Sequence, residues 1–181
     1  MGHFMRLYII RHGEVELNVK KLLNGRNDSE LTAKGIADTE KMKANIRNLK
    51  LDQIICSPLK RAKQTCEIIN ENKVPVYYDN RLLERDTGHL MYQSDTCVDA
   101  KVFYDPSKKL IYDDCEGFGS ILDRVNSFLC EIKEKYPNQS ILIVTHLDTC
   151  RAFYSAINHI SDASKIESFH QNNSELVLYN I

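Results

Sequence analysis

Two short apolar runs constrain the fold most, because each is typical of a buried strand that ends close to a histidine. Leu7–Ile10 is followed by Arg11 and His12, and the run 140–144 leads to His146. Further short strands are predicted over 53–56, 74–78 and 175–179, with helical patterns between them. Strands that alternate with helices predict a mostly parallel sheet covered on both faces. The expected fold class is therefore α/β, a three-layer α/β/α sandwich with a mostly parallel central sheet.

Helix starts and apolar spacing predict the segments between the strands. Thr32 is placed to cap a helix, and Ser57 and Pro58 predict a second helix that runs to about Asn70, with the Ser57 hydroxyl as its cap. A long apolar stripe over 118–132, ended by Pro137, and a segment over 148–157 predict two more helices. The apolar positions that define the first helix are Ile36, Met42, Ile46 and Leu49.

We expect one domain over residues 1–181. Met5 is interpreted as the native start, with residues 1–4 added for expression. The polar stretch 85–115 carries many aspartates and tyrosines, and it is predicted to be an irregular, cap-like insertion over one end of the sheet.

Composition narrows the classes of partner. The chain is 43% hydrophobic and 27% charged, which is ordinary for a globular protein, and its formal net charge is -1. This charge favours neither nucleic acid nor a membrane as a partner, so an anion site has to come from a local cluster of cations. The six cysteines form no CxxC pair and predict reduced thiols in a cytoplasmic protein, without a metal site. No membrane span and no signal peptide are recognisable.

The two strand-end histidines predict a shared site. Ligands of such sheets bind outside the carboxyl ends of the strands, so His12 and His146 are expected to meet at one edge. Arg11 accompanies the first histidine, and Arg61 is predicted to lie in the first turn of the second helix. Two guanidinium groups, two imidazoles and a helix N-terminus favour binding of a phosphate group.

Five segments in order resemble the motifs of the histidine phosphatase superfamily, which includes cofactor-dependent phosphoglycerate mutases and many small-molecule phosphatases. They are RHG at 11–13, GRNDSELTAKG at 25–35, SPLKRAKQT at 57–65, LLERDTG at 82–88 and THLDTCRAF at 145–153. Asn18 also stands where the family has its asparagine. The resemblance spans nearly the whole chain.

The resemblance implies a role for each matched residue. His12 would be the nucleophile that receives the phosphoryl group, Glu84 the general acid, and His146 a second catalytic histidine beside the phosphate. The substrate-binding residues would be Arg11, Asn18, Arg61 and Leu147. The implied reaction needs no metal and no cofactor, and the implied partner is a small phosphorylated substrate. The sequence leaves a homodimer open.

Other carboxylates compete with Glu84 for the role of acid. Glu14 is interpreted as orienting the phosphate ligands, and Asp86 and Glu116 as surface or cap residues. The sequence departs from the family at Val15, where a small hydroxyl residue is usual.

A second departure replaces the two glycines that commonly follow the second histidine with Leu147 and Asp148. We expect Asp148 to cap the last helix and to face away from the ligand, since a carboxylate would oppose phosphate.

Three functions fit the motifs. The first is a metal-independent phosphomonoesterase, the second a phosphoglycerate mutase and the third a non-catalytic module that binds a phosphorylated ligand. The short chain and its acidic insertion favour hydrolysis, whereas Arg85 beside Glu84 resembles the mutase pattern.

Overall fold

The computed structural model describes residues 5–181, so the expectation for residues 1–4 lies outside the described residues. The strands are β1 (Arg6–Arg11), β2 (Gln53–Cys56), β3 (Val76–Tyr78), β4 (Leu110–Ile111), β5 (Cys115–Glu116), β6 (Ser140–Thr145) and β7 (Leu176–Asn180). The α-helices are α1 (Glu16–Val19), α2 (Ala33–Arg47), α3 (Lys60–Ile69), α4 (Ala100–Phe103), α5 (Phe118–Lys135), α6 (Leu147–Asn158) and α7 (Ala163–Ser168). Short 3-10 helices span Asn80–Leu82, Gly88–Leu90 and Asp95–Cys97.

Five of the strands form the central sheet, in the order β3-β2-β6-β1-β7. β1, β6, β2 and β3 run parallel, while β7 pairs antiparallel with β1 at the sheet edge. The last paired residues of β1 and β6 are Arg11 and Thr145, which lie opposite each other. The register therefore places His12 and His146 side by side, each one residue beyond its strand.

The sheet is covered by helices on both faces, which confirms the predicted α/β fold class. Leu7 and Ile9 pack into a core with α5 and α6, whereas Tyr8 and Ile10 pack into a second core with α2 and α3. Successive side chains of a strand point to opposite faces. Because both faces of β1 are covered by helices, its central residues 7–10 are all apolar. Full burial of each large aliphatic side chain contributes about 1.5–3 kcal/mol.

Two helix starts show where local prediction holds and where it fails. The Thr32 cap is confirmed, because its Oγ1 accepts the Gly35 N–H at 2.9 Å. The Ser57 cap is wrong. α3 begins at Lys60, whose N–H is donated to Asp28 Oδ1 at 2.6 Å, while the Ser57 hydroxyl bonds to His146.

Smaller differences have local causes. β3 begins at Val76 instead of Val74 because the Asn70 side chain binds both the N–H and the carbonyl oxygen of Val74 and holds it in a loop. Ile36 is 40% exposed and does not belong to the core. Within residues 5–181, no helix combines the length and the apolar character that a bilayer span requires.

Candidate active site

The turn after β1 is fixed by side chains from three other segments. The Gly13 N–H is donated to Thr65 Oγ1 at 2.9 Å, and Asn173 Nδ2 donates to the His12 carbonyl oxygen at 2.9 Å. A Cβ atom at Gly13 would lie 2.6 Å from Thr39 Oγ1, so only glycine permits this close approach. The turn thus holds His12 in one position at the end of the sheet.

The hydrogen bonds of His12 select its tautomer. Nδ1 lies 2.7 Å from the Gly13 carbonyl oxygen, which can only accept, so the ring proton is on Nδ1 and the lone pair is on Nε2. Burial lowers the pKa of His12 well below its usual value, and the charges of Arg61 and Arg11 lower it further. His12 is therefore a neutral imidazole at physiological pH, with Nε2 as its nucleophilic atom.

His146 lies against His12, with the ring centroids 5.1 Å apart. Its Nδ1 accepts the Arg61 Nε–H at 3.2 Å, so the proton is on Nε2, which donates to Ser57 Oγ at 2.7 Å. Burial, followed by the charge of Arg61, lowers the pKa of His146 well below its usual value. The Ser57 hydroxyl therefore sets the tautomer of the second histidine.

Arg61 joins the two histidines. Its Nε–H is shared between His12 Nε2 and His146 Nδ1, each at 3.2 Å. Its terminal nitrogens donate to the carbonyl oxygens of Asn27 at 2.5 Å and Gly25 at 2.8 Å. Burial lowers the pKa of Arg61 to about 10, so the group keeps its charge at neutral pH. Sequence reasoning missed these two backbone partners, although the loop that carries them stands within a matched motif.

A cavity of about 670 Å³ opens at this edge of the sheet. Four of the seven predicted site residues line it, namely Arg11, Asn18, Glu84 and Leu147. The other three, His12, Arg61 and His146, are at most 2% exposed and pack against one another. The cavity is much larger than a phosphate group, so it has room for a leaving group as well.

Two polar side chains of the cavity wall retain donors for a ligand. Arg11 Nη1 donates to the Gln171 carbonyl oxygen at 2.8 Å, and its buried Nε has no hydrogen-bond partner among residues 5–181. Asn18 Oδ1 accepts from the Val15 N–H and from Asn173 Nδ2, each at 3.2 Å. The amide NH₂ of Asn18 is therefore the part that remains for a ligand.

The loop that carries Glu84 is anchored to the strand and helix on either side of His146. Thr145 Oγ1 donates to the Leu82 carbonyl oxygen at 2.8 Å, and Thr149 Oγ1 donates to that of Leu83 at 2.7 Å. These two hydroxyl groups fix the backbone just before Glu84 and were not identified from the sequence.

The surroundings of Glu84 favour its protonated form. Burial raises the pKa of the Glu84 carboxyl, and the Asp148 carboxylate raises it further, against the opposing charges of Arg61 and Arg11. A raised pKa keeps more of the carboxyl protonated at a given pH, which favours a role as proton donor.

Residues 7–181 match the histidine phosphatase superfamily (branch 1). The chain belongs to this superfamily. It is 30% identical over 154 residues to the uncharacterized phosphatase PhoE of Bacillus subtilis, spanning 83% of this chain and 76% of the relative. It is 28% identical over 149 residues to the adenosylcobalamin/alpha-ribazole phosphatase of Escherichia coli, and the match spans 78% of this chain and 73% of the relative.

The fold of this histidine phosphatase also resembles solved structures. One is a phosphoserine phosphatase mutant from Entamoeba histolytica in complex with phosphoserine, with a TM-score of 0.84. The sequences are 21% identical, and the match covers 96% of this chain and 89% of the other, so the likeness concerns the fold. The expected family is confirmed.

The rival carboxylates of this histidine phosphatase do not line the cavity. Glu14 Oε1 accepts from the Thr32 hydroxyl at 2.9 Å, at the start of α2, so the structure does not show it beside the phosphate ligands. Glu116 pairs with Arg26 and Arg124, and Asp86 also pairs with Arg26. Glu84 lines the cavity and these three carboxylates do not, so Glu84 is the better candidate for the acid.

The cap expected of Asp148 is wrong. His146 occupies the N-cap position of α6, and Asp148 is one of the residues that line the cavity. Its Oδ1 pairs with Arg151 Nη1 at 2.9 Å and its Oδ2 with Arg85 Nε at 2.8 Å. Burial opposes the charge of Asp148, but the two guanidinium groups outweigh burial and lower its pKa. Two buried cations therefore attract this side chain more strongly than the helix end does.

Proposed function

We propose that this histidine phosphatase is a metal-independent phosphomonoesterase that hydrolyses a small phosphorylated metabolite through a phosphohistidine intermediate on His12. One observation carries the proposal: His12 Nε2 holds a lone pair in a neutral ring whose other nitrogen donates to the Gly13 carbonyl oxygen. Attack by histidine requires this tautomer and this charge state.

In the first step, His12 Nε2 attacks phosphorus and the bond from phosphorus to the ester oxygen breaks. The Arg61 Nε–H, now donated to the two imidazoles, turns to a phosphate oxygen and frees the Nε2 lone pair. Arg11, the Asn18 amide and the N-terminus of α6 at Leu147 stabilise the remaining phosphate charge together with His146. Glu84 donates its proton to the departing alkoxide.

In the second step, a water molecule attacks the phosphohistidine. The Glu84 carboxylate accepts a proton from this water, the bond from phosphorus to Nε2 breaks, and inorganic phosphate leaves. His12 returns to its neutral state and Glu84 to its acid form, so the cycle closes without a cofactor.

The contacts of Arg85 favour hydrolysis over mutase chemistry. A mutase has to hold a second phosphate, and Arg85 resembles the mutase pattern in sequence. In the structure, Arg85 Nε already has a carboxylate partner, Asp148, at 2.8 Å. We also propose that the chain forms one domain, in which 85–115 is a cap-like insertion. A cytoplasmic location is in keeping with its six free cysteines.

The test is to trap the intermediate. Enzyme mixed with a radiolabelled phosphomonoester in EDTA and quenched in base should carry a base-stable, acid-labile label, with phosphate released at steady state. His12→Ala should lose both the label and the turnover, because the attacking nitrogen is gone.

His89→Ala is the matched control, since this exposed histidine pairs with Asp114 and does not line the cavity. It should keep the label and the turnover. Label on another residue, or turnover in His12→Ala, contradicts the mechanism.

A further inference from the structure

A buried ionic cluster forms one wall of the cavity, beyond the residues assigned to the chemistry. Arg85 is fully buried, and its guanidinium carbon lies 3.7 Å from the centre of the Phe103 ring. Arg151 Nη1 donates to the Tyr104 hydroxyl at 2.7 Å and to Asp148 at 2.9 Å. All five side chains line the cavity, with Asp148 between the two cations.

The cluster has one negative charge for two positive charges. Without Asp148, two desolvated guanidinium groups would face the leaving-group side of the cavity and attract an acidic group of the substrate. With Asp148 in place, both cations already have a carboxylate partner within 3 Å. An incoming carboxylate would meet the Asp148 carboxylate at short range, where like charges repel most strongly.

One donor of the cluster is still free. Arg85 Nη2 is buried and has no hydrogen-bond partner among residues 5–181. A hydroxyl or carbonyl oxygen of the leaving group can accept from it without bringing a second negative charge towards Asp148. The wall therefore suits an uncharged polar group better than an acidic one.

Resting on the phosphomonoesterase function proposed above, we propose that Asp148 is a specificity-determining residue. It selects phosphomonoesters whose leaving group is an uncharged alcohol, such as a polyol or sugar, and it rejects those with a carboxylate or second phosphate near the ester. The chain thereby differs in selectivity from phosphatases and mutases that act on acidic three-carbon substrates.

The experiment compares two ligands that share one carbon skeleton. Glycerol 3-phosphate carries a hydroxymethyl group where 3-phosphoglycerate carries a carboxylate. Dissociation constants are measured by titration calorimetry in the His12→Ala background, which blocks turnover. We expect glycerol 3-phosphate to bind at least about tenfold more tightly, and Asp148→Asn to shift the ratio at least about tenfold towards 3-phosphoglycerate.

Two further variants isolate the charge of Asp148. Asp148→Asn combined with Arg151→Gln restores the net charge of the cluster, so its ratio should return towards that of the parent. Asp123→Asn removes the same charge from an exposed residue on α5 that pairs with Lys109, and it should leave the ratio unchanged.

The outcomes separate this inference from the proposed function. A parent that binds 3-phosphoglycerate as tightly as glycerol 3-phosphate, or a ratio that Asp148→Asn does not move, overturns the selectivity. If Asp148→Asn does not fold, the parent ratio and the charge-balanced double variant decide. Because binding is measured without turnover, a wild-type chain that hydrolyses no ester refutes the phosphatase function alone.

Discussion

The catalytic floor (His12, Arg61 and His146) and the insertion (85–115) meet at the edge of the sheet where the cavity opens, but they are built in opposite ways. Each floor residue directly follows a strand of the central sheet or lies in the first turn of a helix beside it, and none is more than 2% exposed. The insertion has only short helices and the small β4-β5 pair at its end, and it adds no strand to the central sheet. Regular secondary structure therefore positions the floor, whereas the insertion is mostly irregular backbone, the kind of segment in which sequence varies most.

The largest expected effect tests whether the floor acts on every substrate alike. Arg61→Gln removes the cation that contacts both imidazoles, so kcat/KM should fall by about a thousandfold, equally for alkyl and aryl phosphates. Steady-state kinetics on both classes measure this.

Arg81→Gln is the control, since Arg81 pairs with Asp79 and Glu131 outside the cavity. It should leave the kinetics almost unchanged. A loss in Arg61→Gln confined to one leaving group would break the distinction between the floor and the insertion.

Glu84 lies at the border between the two regions, and its effect should depend on the leaving group. Glu84→Gln should slow alkyl phosphates by about a hundredfold and nitrophenyl phosphate only severalfold, because a good leaving group needs no proton. An equal loss on both would mean that protonation of the leaving group is not what Glu84 contributes to the rate.

The pH dependence of turnover also tests whether Glu84 acts as the acid. The raised pKa of Glu84 keeps the acid form present at higher pH than usual, and alkyl phosphate turnover should fall as the pH rises through that pKa. In Glu84→Gln this fall should disappear, because the amide does not titrate. Rates measured from acidic to alkaline pH distinguish the two outcomes.

Ser57 tests how far the floor depends on the tautomer of His146. Ser57→Ala removes the acceptor of the Nε2–H and should reduce kcat by about tenfold, the value of one buried hydrogen bond. Ser57→Thr retains the hydroxyl group and should recover most of the activity. Equal losses in both variants, measured as kcat at saturating substrate, would point to packing instead of the hydrogen bond.

The smallest effect is expected in the insertion. Val98 lines the cavity, and Val98→Ala should raise KM a fewfold for a bulky apolar leaving group, because about 1 kcal/mol of contact is lost. The inhibition constant of inorganic phosphate should not change, since none of the groups proposed to hold phosphate lies in the insertion. A change in both would mean that the insertion also shapes the phosphate site.

The sequence by itself determined the parts of the molecule that local patterns encode. Short apolar runs that end near histidine predicted the strands and the edge at which His12 and His146 meet, and the Thr32 cap was placed correctly. These features depend on residues close together in the chain or on the common direction of parallel strands. The order of five motifs was also enough to predict the family.

Only the tertiary structure decided which partners the polar side chains of the buried site take. Ser57 and Asp148 both stand just before or within a first helical turn, where the local pattern predicts a cap. Ser57 instead bonds to His146, 89 positions away, and Asp148 instead pairs with Arg85 and Arg151. In a buried site, a charged or imidazole partner stabilises such a group more than a helix end does, and a distant partner leaves no trace in the local pattern.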